Sequence, residues 1–241
     1  MDAKIRLFID DDLAADSRVA LNSSQTHYLK NVMRLDVGGL VLLFNGRDGE
    51  WRAEIKSTGK KDAVLSLQEL VRAQVDEAEI WLLFAPVKKT GTNMIAEKAT
   101  ELGVTHLWPV ITDHTNVERV KIDRLKANVI EAAEQCRRLT VPTVLEPEKL
   151  SQVLSGWNEE RRLIVMDETG GGDPLAEILR HDPAASFEAI LIGPEGGFAR
   201  SELDAMGNLP FVTFASLGDR ILRAETAAVA SLAIWQALAR G

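Results

Sequence analysis

The stretch Ile-Gly-Pro-Glu-Gly-Gly-Phe at residues 192–198 follows directly after an apolar run of strand length, residues 189–192. At a background usage of about 5–7% per residue, a given Gly-Pro-Glu-Gly-Gly string arises roughly once in a million positions, so composition does not explain it. In open α/β sheets, ligands bind beyond the carboxyl ends of the strands, and glycines let the backbone approach a ligand closely. The stretch therefore predicts a ligand-binding loop, with a plain strand-to-helix turn as the alternative.

Apolar runs of strand length alternate with helical patterns on both sides of this loop. The other four lie at residues 80–85, 107–110, 163–166 and 211–214. Such alternation predicts an α/β domain whose parallel sheet is covered on both faces. Helical spacing over residues 121–138 places Cys136 on the apolar side, so we expect it to be buried. Residues 220–239 are apolar almost all round, which predicts a buried helix that packs against a second subunit.

The first 72 residues have a different pattern of short strands and turns. We predict strands at residues 5–9, 40–44, 50–55 and 63–67, and a polar helix at residues 24–35. The Asn-Gly and Asp-Gly pairs within residues 45–49 suit a tight hairpin. This pattern predicts a small β-barrel. The polar stretch 71–77 marks a boundary, which gives domains 1–74 and 75–241.

The composition of the 241 residues, 46% hydrophobic and 27% charged, is typical of a globular protein with a substantial core. No apolar run approaches the roughly 20 residues that cross a bilayer, and the first residues lack the order of a signal peptide. We therefore expect a cytoplasmic protein with no membrane association. One cysteine and four histidines without ligand spacing predict no metal site.

The formal net charge of −8 comes entirely from the residues after position 74. Residues 1–74 hold 11 basic and 11 acidic side chains, and the rest of the chain holds 17 basic and 25 acidic ones. Since affinity for phosphate scales with the number of Lys and Arg contacts, this balance argues against a protein that envelops nucleic acid. Any RNA contact must use local basic patches.

Two further loops follow predicted strands, at residues 166–172 and 216–228. The first is acidic and could hold ribose hydroxyls, amino groups or a sulfonium, although a flexible acidic loop would have the same composition. None of the loops carries the dinucleotide or the phosphate-gripping fingerprint, and Glu195 would repel a phosphate. The sequence therefore favours a cationic or neutral ligand.

Together the three loops resemble the cofactor loops of the SPOUT methyltransferases, specifically the family that methylates uridine N3 in small-subunit ribosomal RNA. The resemblance covers essentially the whole chain, and residues 192–198 and 217–228 are its most specific parts. Its other matches lie at residues 6–8, 27–29, 34–35, 45–46, 97–103, 131–136, 138 and 142. The stretch Lys-Lys-Thr-Gly-Thr at residues 88–92 departs from the family, whose members carry a lysine followed by other residues.

The resemblance implies a PUA-like β-barrel for RNA, followed by an α/β domain whose backbone forms a trefoil knot around S-adenosyl-L-methionine (SAM). It also implies a homodimer formed through the C-terminal domain, with ribosomal RNA of the 30S subunit as substrate. The residues that it assigns to the cofactor are Asp167, Glu168, Thr169, Ile192, Gly193, Pro194, Glu195, Gly196, Gly197, Ser216, Leu217, Gly218, Ile221, Leu222, Arg223, Thr226 and Ala227.

Arg223, Glu225 and Glu195 are the predicted catalytic residues. Our hypothesis is that Arg223 stabilises negative charge on the uracil carbonyls, and that Glu225 or Glu195 accepts the N3 proton or orients Arg223. Glu225 is equally explained as an acid that stabilises a helix N-terminus. The predicted RNA contacts, each of which could also be an ordinary solvated side chain, are Arg6, His27, Arg34, Lys88, Gln135, Arg137 and Arg138. For His27, a structural hydrogen bond is the favoured interpretation.

Two alternatives stay open on the sequence. The chain could be a SPOUT methyltransferase that acts on another RNA or nucleoside position, or an RNA-binding homologue without activity. An enzyme of another class, such as a nucleotide hydrolase or dehydrogenase, would need a phosphate or dinucleotide fingerprint, and the sequence has neither.

Overall fold

The computed structural model describes residues 4–59, 62–117, 119–169, 171–181 and 188–239. The chain divides into two compact units. One holds the residues up to Asp76 together with residues 133–141, and the other holds residues 77–132 and the chain from Pro142 onward. Within the described ranges, no helix has the length and apolar character that would let it cross a membrane.

The first unit is built on a five-stranded mixed sheet with the order β1-β3-β4-β5-β2. The strands are β1 (Arg6–Phe8), β2 (Arg18–Leu21), β3 (Leu40–Phe44), β4 (Glu50–Thr58) and β5 (Ala63–Arg72). Strand β1 runs parallel to β3, and the other pairs are antiparallel. Helix α1 (Ser23–His27) continues into a π-helical turn, Tyr28–Val32. Alternate residues such as Val41, Leu43 and Ile55 point into one hydrophobic core.

The four strands predicted for this region are confirmed as β1, β3, β4 and β5. The predicted hairpin is confirmed too, because β3 and β4 pair in antiparallel fashion. The loop between them holds Gly46 and Gly49, both at a φ of +80°. Strand β2 was not predicted, because four residues that include a charged side chain are too few to show a strand pattern. Strand β5 extends to Arg72, into the stretch that we predicted as a boundary.

The second unit contains a parallel sheet with the order β11-β13-β10-β12-β6-β7-β8, and β9 pairs with a later part of β7. The strands are β6 (Ile80–Phe84), β7 (His106–Ile111), β8 (Thr143–Val144), β9 (Glu148–Lys149), β10 (Arg162–Met166), β11 (Asp173–Pro174), β12 (Glu188–Ile192) and β13 (Val212–Ser216). The helices are α2 (Lys89–Glu101), α3 (Ile122–Cys136), α4 (Leu150–Ser155), α5 (Leu175–His181), α6 (Arg200–Gly207) and α7 (Ala224–Ala239).

The central strands β10, β12 and β6 are buried along nearly their whole length, as expected for a sheet covered on both faces. This confirms the predicted parallel sheet. Helix α7 packs against α2 and α5. It buries one stripe of residues four apart, including Ala228 and Leu232, while Ala233 and Ala237 are exposed.

The prediction that Cys136 is buried is wrong, because its side chain is exposed. Helix α3 ends at Cys136, and Arg137 adopts a left-handed conformation with a φ of +62° that stops the helix. The apolar spacing that placed Cys136 in the core therefore holds only for the earlier turns, where Leu125 and Val129 are buried.

Candidate cofactor and active site

The three predicted loops end three neighbouring strands. Strands β13, β10 and β12 are adjacent and parallel, so their carboxyl ends meet at one edge of the sheet. The residues that line the cavity between the loops are Met166, Asp167, Glu168, Ile192, Gly193, Pro194, Glu195, Leu217, Gly218, Arg220, Ile221, Leu222, Ala224 and Ala227. The cavity measures about 70 Å³.

Most residues predicted to bind the cofactor line this cavity. Those that the structure places outside the lining are Thr169, Gly196, Gly197, Ser216, Arg223 and Thr226. Met166, Arg220 and Ala224 also line the cavity. All three lie within the predicted loops at residues 166–172 and 216–228, although none of them was assigned to the cofactor.

The acidic loop after β10 is held close to β13. The backbone amide of Asp167 donates to the carbonyl of Ala215 at 2.9 Å. The Asp167 carboxylate accepts hydrogen bonds from the backbone amide and the hydroxyl of Thr169, both at 2.8 Å. Thr169 therefore orients Asp167. A Cβ on Gly172 would lie 2.5 Å from the backbone nitrogen of Ala215, so only glycine permits the loop to approach β13 this closely.

The glycine-rich loop after β12 contacts the acidic loop. Gly197 has a φ of +70°, and its amide donates to the Pro194 carbonyl at 2.9 Å. A Cβ on Gly197 would overlap the carboxylate of Glu168. A Cβ on Gly193 would lie 2.9 Å from the ring of Phe198. The positive φ favours glycine at position 197, and an added Cβ at either position would displace a neighbouring side chain, Glu168 or Phe198.

Two residues that the sequence analysis missed hold the glycine-rich loop from outside. His114 Nδ1 lies 3.2 and 3.0 Å from the carbonyl oxygens of Gly196 and Gly197. Because a carbonyl only accepts, this nitrogen carries the proton and donates. The Glu202 carboxylate accepts from the backbone amides of Ala199 and Asp113. His114 acts through contacts that are distant in sequence, whereas Glu202 is the third residue of α6 and also accepts from the amide that begins this helix.

The three predicted catalytic residues differ in their relation to the cavity. Glu195 is exposed and lines the cavity, whereas Arg223 is exposed just before α7 and lies outside the lining. Glu225 lies in the first turn of α7. Its Oε2 is 3.3 Å from where a Cβ on Gly91 would be, in the first turn of α2. The Glu225 carboxylate therefore lies beside the first turns of both α7 and α2.

Arg6 has a structural role instead of the predicted RNA contact. Its side chain is buried, with Nε 2.5 Å from Oε1 of Glu50. Its Nη atoms donate to the carbonyls of Ala133, Glu134 and Arg138. Burial raises the pKa of Glu50, but the hydrogen bonds from Arg72 and Arg6 outweigh it, and the net pKa is lowered. Arg6 therefore fixes residues 133–141 within the first unit and is not accessible to RNA.

The other predicted RNA contacts differ in exposure. Those that are exposed are His27, Arg34, Lys88, Gln135 and Arg137. Arg138 is only 8% exposed and its Nε donates to the Thr140 hydroxyl, which leaves little of it accessible. His27 Nδ1 lies 2.7 Å from the side-chain nitrogen Nδ2 of Asn31. This is a local hydrogen bond of the kind expected for a structural histidine.

Comparison with known proteins agrees with this architecture. A family model for an RNA methyltransferase domain matches residues 75–236, and one for an RNA methyltransferase PUA domain matches residues 21–68. A ribosomal RNA small subunit methyltransferase E of Rickettsia conorii is 35% identical over 95% of this chain and 93% of its own length. A protein of the same name from Synechocystis is 32% identical over 97% of this chain and 77% of its own length.

A solved structure resembles the whole chain. The crystal structure of a ribosomal RNA small subunit methyltransferase E from Neisseria gonorrhoeae, bound to S-adenosyl methionine, is 27% identical and has a TM-score of 0.87. The match covers 97% of both chains. The fold and the loops thus define an RNA methyltransferase of the SPOUT class with an N-terminal PUA domain. The chain belongs to the ribosomal RNA small subunit methyltransferase E family.

Proposed function

We propose that this protein transfers the methyl group of SAM to N3 of a specific uridine in 16S RNA of the small ribosomal subunit. The observation that carries the proposal is the convergence of three loops on one cavity, at the carboxyl edge of the sheet. Ligands of open α/β folds bind at this edge. Family members named for small-subunit ribosomal RNA, and a relative bound to SAM, support the substrate and the cofactor.

The lining of the cavity fits SAM. The apolar side chains of Ile192, Leu217 and Leu222 suit the adenine ring, and the carboxylates of Asp167 and Glu168 suit ribose hydroxyls or a cationic group. When bound, SAM supplies an electrophilic methyl group on a positively charged sulfur. The carboxylates of the acidic loop stabilise a cation that is bound nearby. They would repel a phosphate.

The chain's own residues must then position uracil and remove its N3 proton. Arg223, just before α7, stabilises the negative charge that develops on the uracil carbonyls, a contribution of roughly 3–4 kcal/mol for one donor. Glu225 or Glu195 accepts the proton. Glu225 lies in the first turn of α7, between Ala224 and Ala227, which line the cavity.

The remaining parts of the proposal concern the roles of the two domains, the cellular location and the oligomeric state. The domain of residues 1–74 binds RNA, and the domain of residues 75–241 carries catalysis and a backbone knot. The protein acts in the cytoplasm as a homodimer through the C-terminal domain, on RNA within the 30S subunit.

Transfer of labelled methyl from SAM to purified small subunits that lack their own modifications tests the proposal. We expect label in the RNA and measurable SAM binding by calorimetry. SAM binding without transfer to subunits or to naked RNA would favour the inactive RNA-binding homologue. Failure to bind SAM would contradict the proposed chemistry.

A further inference from the structure

A second cavity lies in the second unit, where β6 ends and α2 begins. It measures about 460 Å³, within the range of roughly 300–1,000 Å³ that is typical of ligand pockets. Its walls come from the start of α2, the start of α3 and the stretch that leads from β7 to α3. We call it the cationic groove, and its lining consists of Pro86, Val87, Lys88, Lys89, Thr92, Asn93, Asn116, Val117, Arg119, Val120, Lys121, Arg124 and Leu125.

The floor of the cationic groove is fixed. Val87, Thr92 and Leu125 are buried. The Thr92 hydroxyl donates to the Val87 carbonyl at 2.8 Å and accepts from the Val87 amide at 3.1 Å. This pair of hydrogen bonds locks the turn before α2 to the helix, so the groove is a built feature and not a gap between mobile side chains.

The rim of the groove is basic. Its five cationic side chains, all exposed, are Lys88, Lys89, Arg119, Lys121 and Arg124. None of the lining residues is acidic, and none of the five cations forms an ion pair within the described part of the chain; Glu118 lies outside the described residues. Elsewhere in this unit, cations such as Lys98 and Arg161 contact carboxylates. Unpaired cations around a cavity, on the acidic part of the chain, attract an anion.

The cationic groove adjoins the candidate active site. Strand β6 neighbours β12 in the sheet, so the groove lies beside the strand end that carries the glycine-rich loop. A Cβ on Gly91 would touch both Val87 on the floor, at 2.7 Å, and Glu225, at 3.3 Å. An anionic polymer in the groove would therefore pass next to a carboxylate that we propose as proton acceptor.

We propose that the cationic groove binds phosphates of the RNA strand that carries the target uridine. The inference rests on the proposed function. It extends the RNA contact that we predicted at Lys88 to a groove with defined walls. Arginine suits this role, since its planar fork pairs with phosphate oxygens at two points. Arg124 is already oriented, because its Nε donates to Asn93 across the groove at 3.3 Å.

The test is the affinity for a small-subunit ribosomal RNA fragment, measured without SAM across a range of salt concentrations. We compare the wild type with a triple variant, Arg119→Gln, Lys121→Gln and Arg124→Gln. The triple variant should bind RNA at least about tenfold more weakly. Its plot of log affinity against log salt should be shallower by roughly 0.7–0.9 for each phosphate that the variant no longer neutralises.

Lys126→Gln is the matched control, because Lys126 is exposed on the same helix α3 but does not line the groove. It should keep the wild-type RNA affinity within about twofold. SAM affinity, measured by calorimetry, should be equal in all these proteins, since none of the altered residues lines the cofactor cavity. If the triple variant unfolds at a lower temperature, the single Arg119→Gln variant replaces it.

Equal RNA affinity and salt slope in the groove variants and the Lys126→Gln control would overturn the inference. Methyl transfer by the wild type would then still stand, so the groove alone would be rejected. Weaker RNA binding confined to the groove variants supports the inference, and it does so independently of whether methyl transfer is observed.

Discussion

The two edges of the parallel sheet in the second unit are built from different chemistry. The carboxyl edge carries glycine-rich loops, exposed charges and two cavities. The amino edge is closed by ion pairs. Arg162 pairs with the buried Glu188, and Arg161 contacts Glu79 at 2.7 Å and lies over the ring of Trp81 at 4.3 Å.

Aromatic side chains complete the amino edge. The ring of Trp81 stacks on His106 at 4.4 Å, and Trp157 stacks between Trp108 and Phe211 at 6.4 and 6.2 Å. The indole N–H groups of Trp81 and Trp157 donate to Glu79 and to the Arg161 carbonyl at this edge. The charged side chains here are ion-paired and mostly buried, which leaves little to offer a ligand, whereas the carboxyl edge keeps its carboxylates, cations and glycine backbone accessible. The difference indicates that one edge provides stability and the other provides function.

The largest expected effect is a loss of stability caused by a substitution at the amino edge. Glu188→Ala leaves the partly buried Arg162 without its carboxylate, which should lower the free energy of unfolding by roughly 3–5 kcal/mol. Urea denaturation measures this change. The exposed Glu159→Ala is the control and should stay within about 0.5 kcal/mol of wild type. If Glu188→Ala weakened SAM binding in folded protein without lowering stability, the division between the edges would be wrong.

Arg223→Ala is the converse change at the carboxyl edge. Loss of a donor to the developing charge should lower kcat by about 10²–10³-fold, while SAM affinity and the free energy of unfolding change little, because the side chain is exposed. Single-turnover methyl transfer and denaturation measure the two quantities. Methylation at the wild-type rate would remove the assignment of Arg223.

Gly197→Ala tests whether the contact between two loops shapes the cofactor cavity. The added Cβ would displace the Glu168 carboxylate, which lines the cavity, so SAM should bind roughly 5- to 150-fold more weakly by calorimetry. Gly218→Ala is the control, since Gly218 has a φ of +103° but nothing within 4 Å of an added Cβ. Equal effects of the two substitutions would mean that backbone strain, not the loop contact, matters.

The smallest expected effect is a pH dependence of stability from His106 at the amino edge. Burial, with help from the charge of Arg161, lowers the pKa of His106 despite the opposing carboxylate of Glu79. The unfolded chain then binds more protons below the ordinary pKa of 6.5, so the free energy of unfolding should fall as the pH decreases from about 7.5 to about 5.5. His106→Phe keeps the ring on Trp81 and should weaken this dependence. An unchanged pH profile in that variant would show that His106 does not contribute.

The sequence predicted the parallel sheet and its functional edge because long apolar runs and glycine-rich loops are local signals. The five long strands of this sheet were each found, whereas β8, β9 and β11, of two residues each, were not. Two-residue strands form only because a neighbouring strand is present, and periodicity does not register them.

The supporting contacts of the site could not be predicted for the same reason. His114 donates to carbonyls 82 and 83 residues away, and Arg6 is held by Glu50 and by carbonyls more than 120 residues distant. A single sequence shows that an arginine is present but not whether its partners are phosphates or buried carbonyls. The resemblance named most residues of the cofactor cavity, and it did not reveal the cationic groove, whose residues come from three separate segments.

Nucleoside analysis of small-subunit RNA, after incubation of unmodified subunits with SAM and the purified protein, tests the central claim most directly. We expect 3-methyluridine in the wild-type reaction and its near absence with Arg223→Ala. A different methylated nucleoside would keep the cofactor site and contradict the assignment of uridine N3. No methylated nucleoside from any form of the substrate would contradict the claim that the carboxyl edge is a methyltransferase active site.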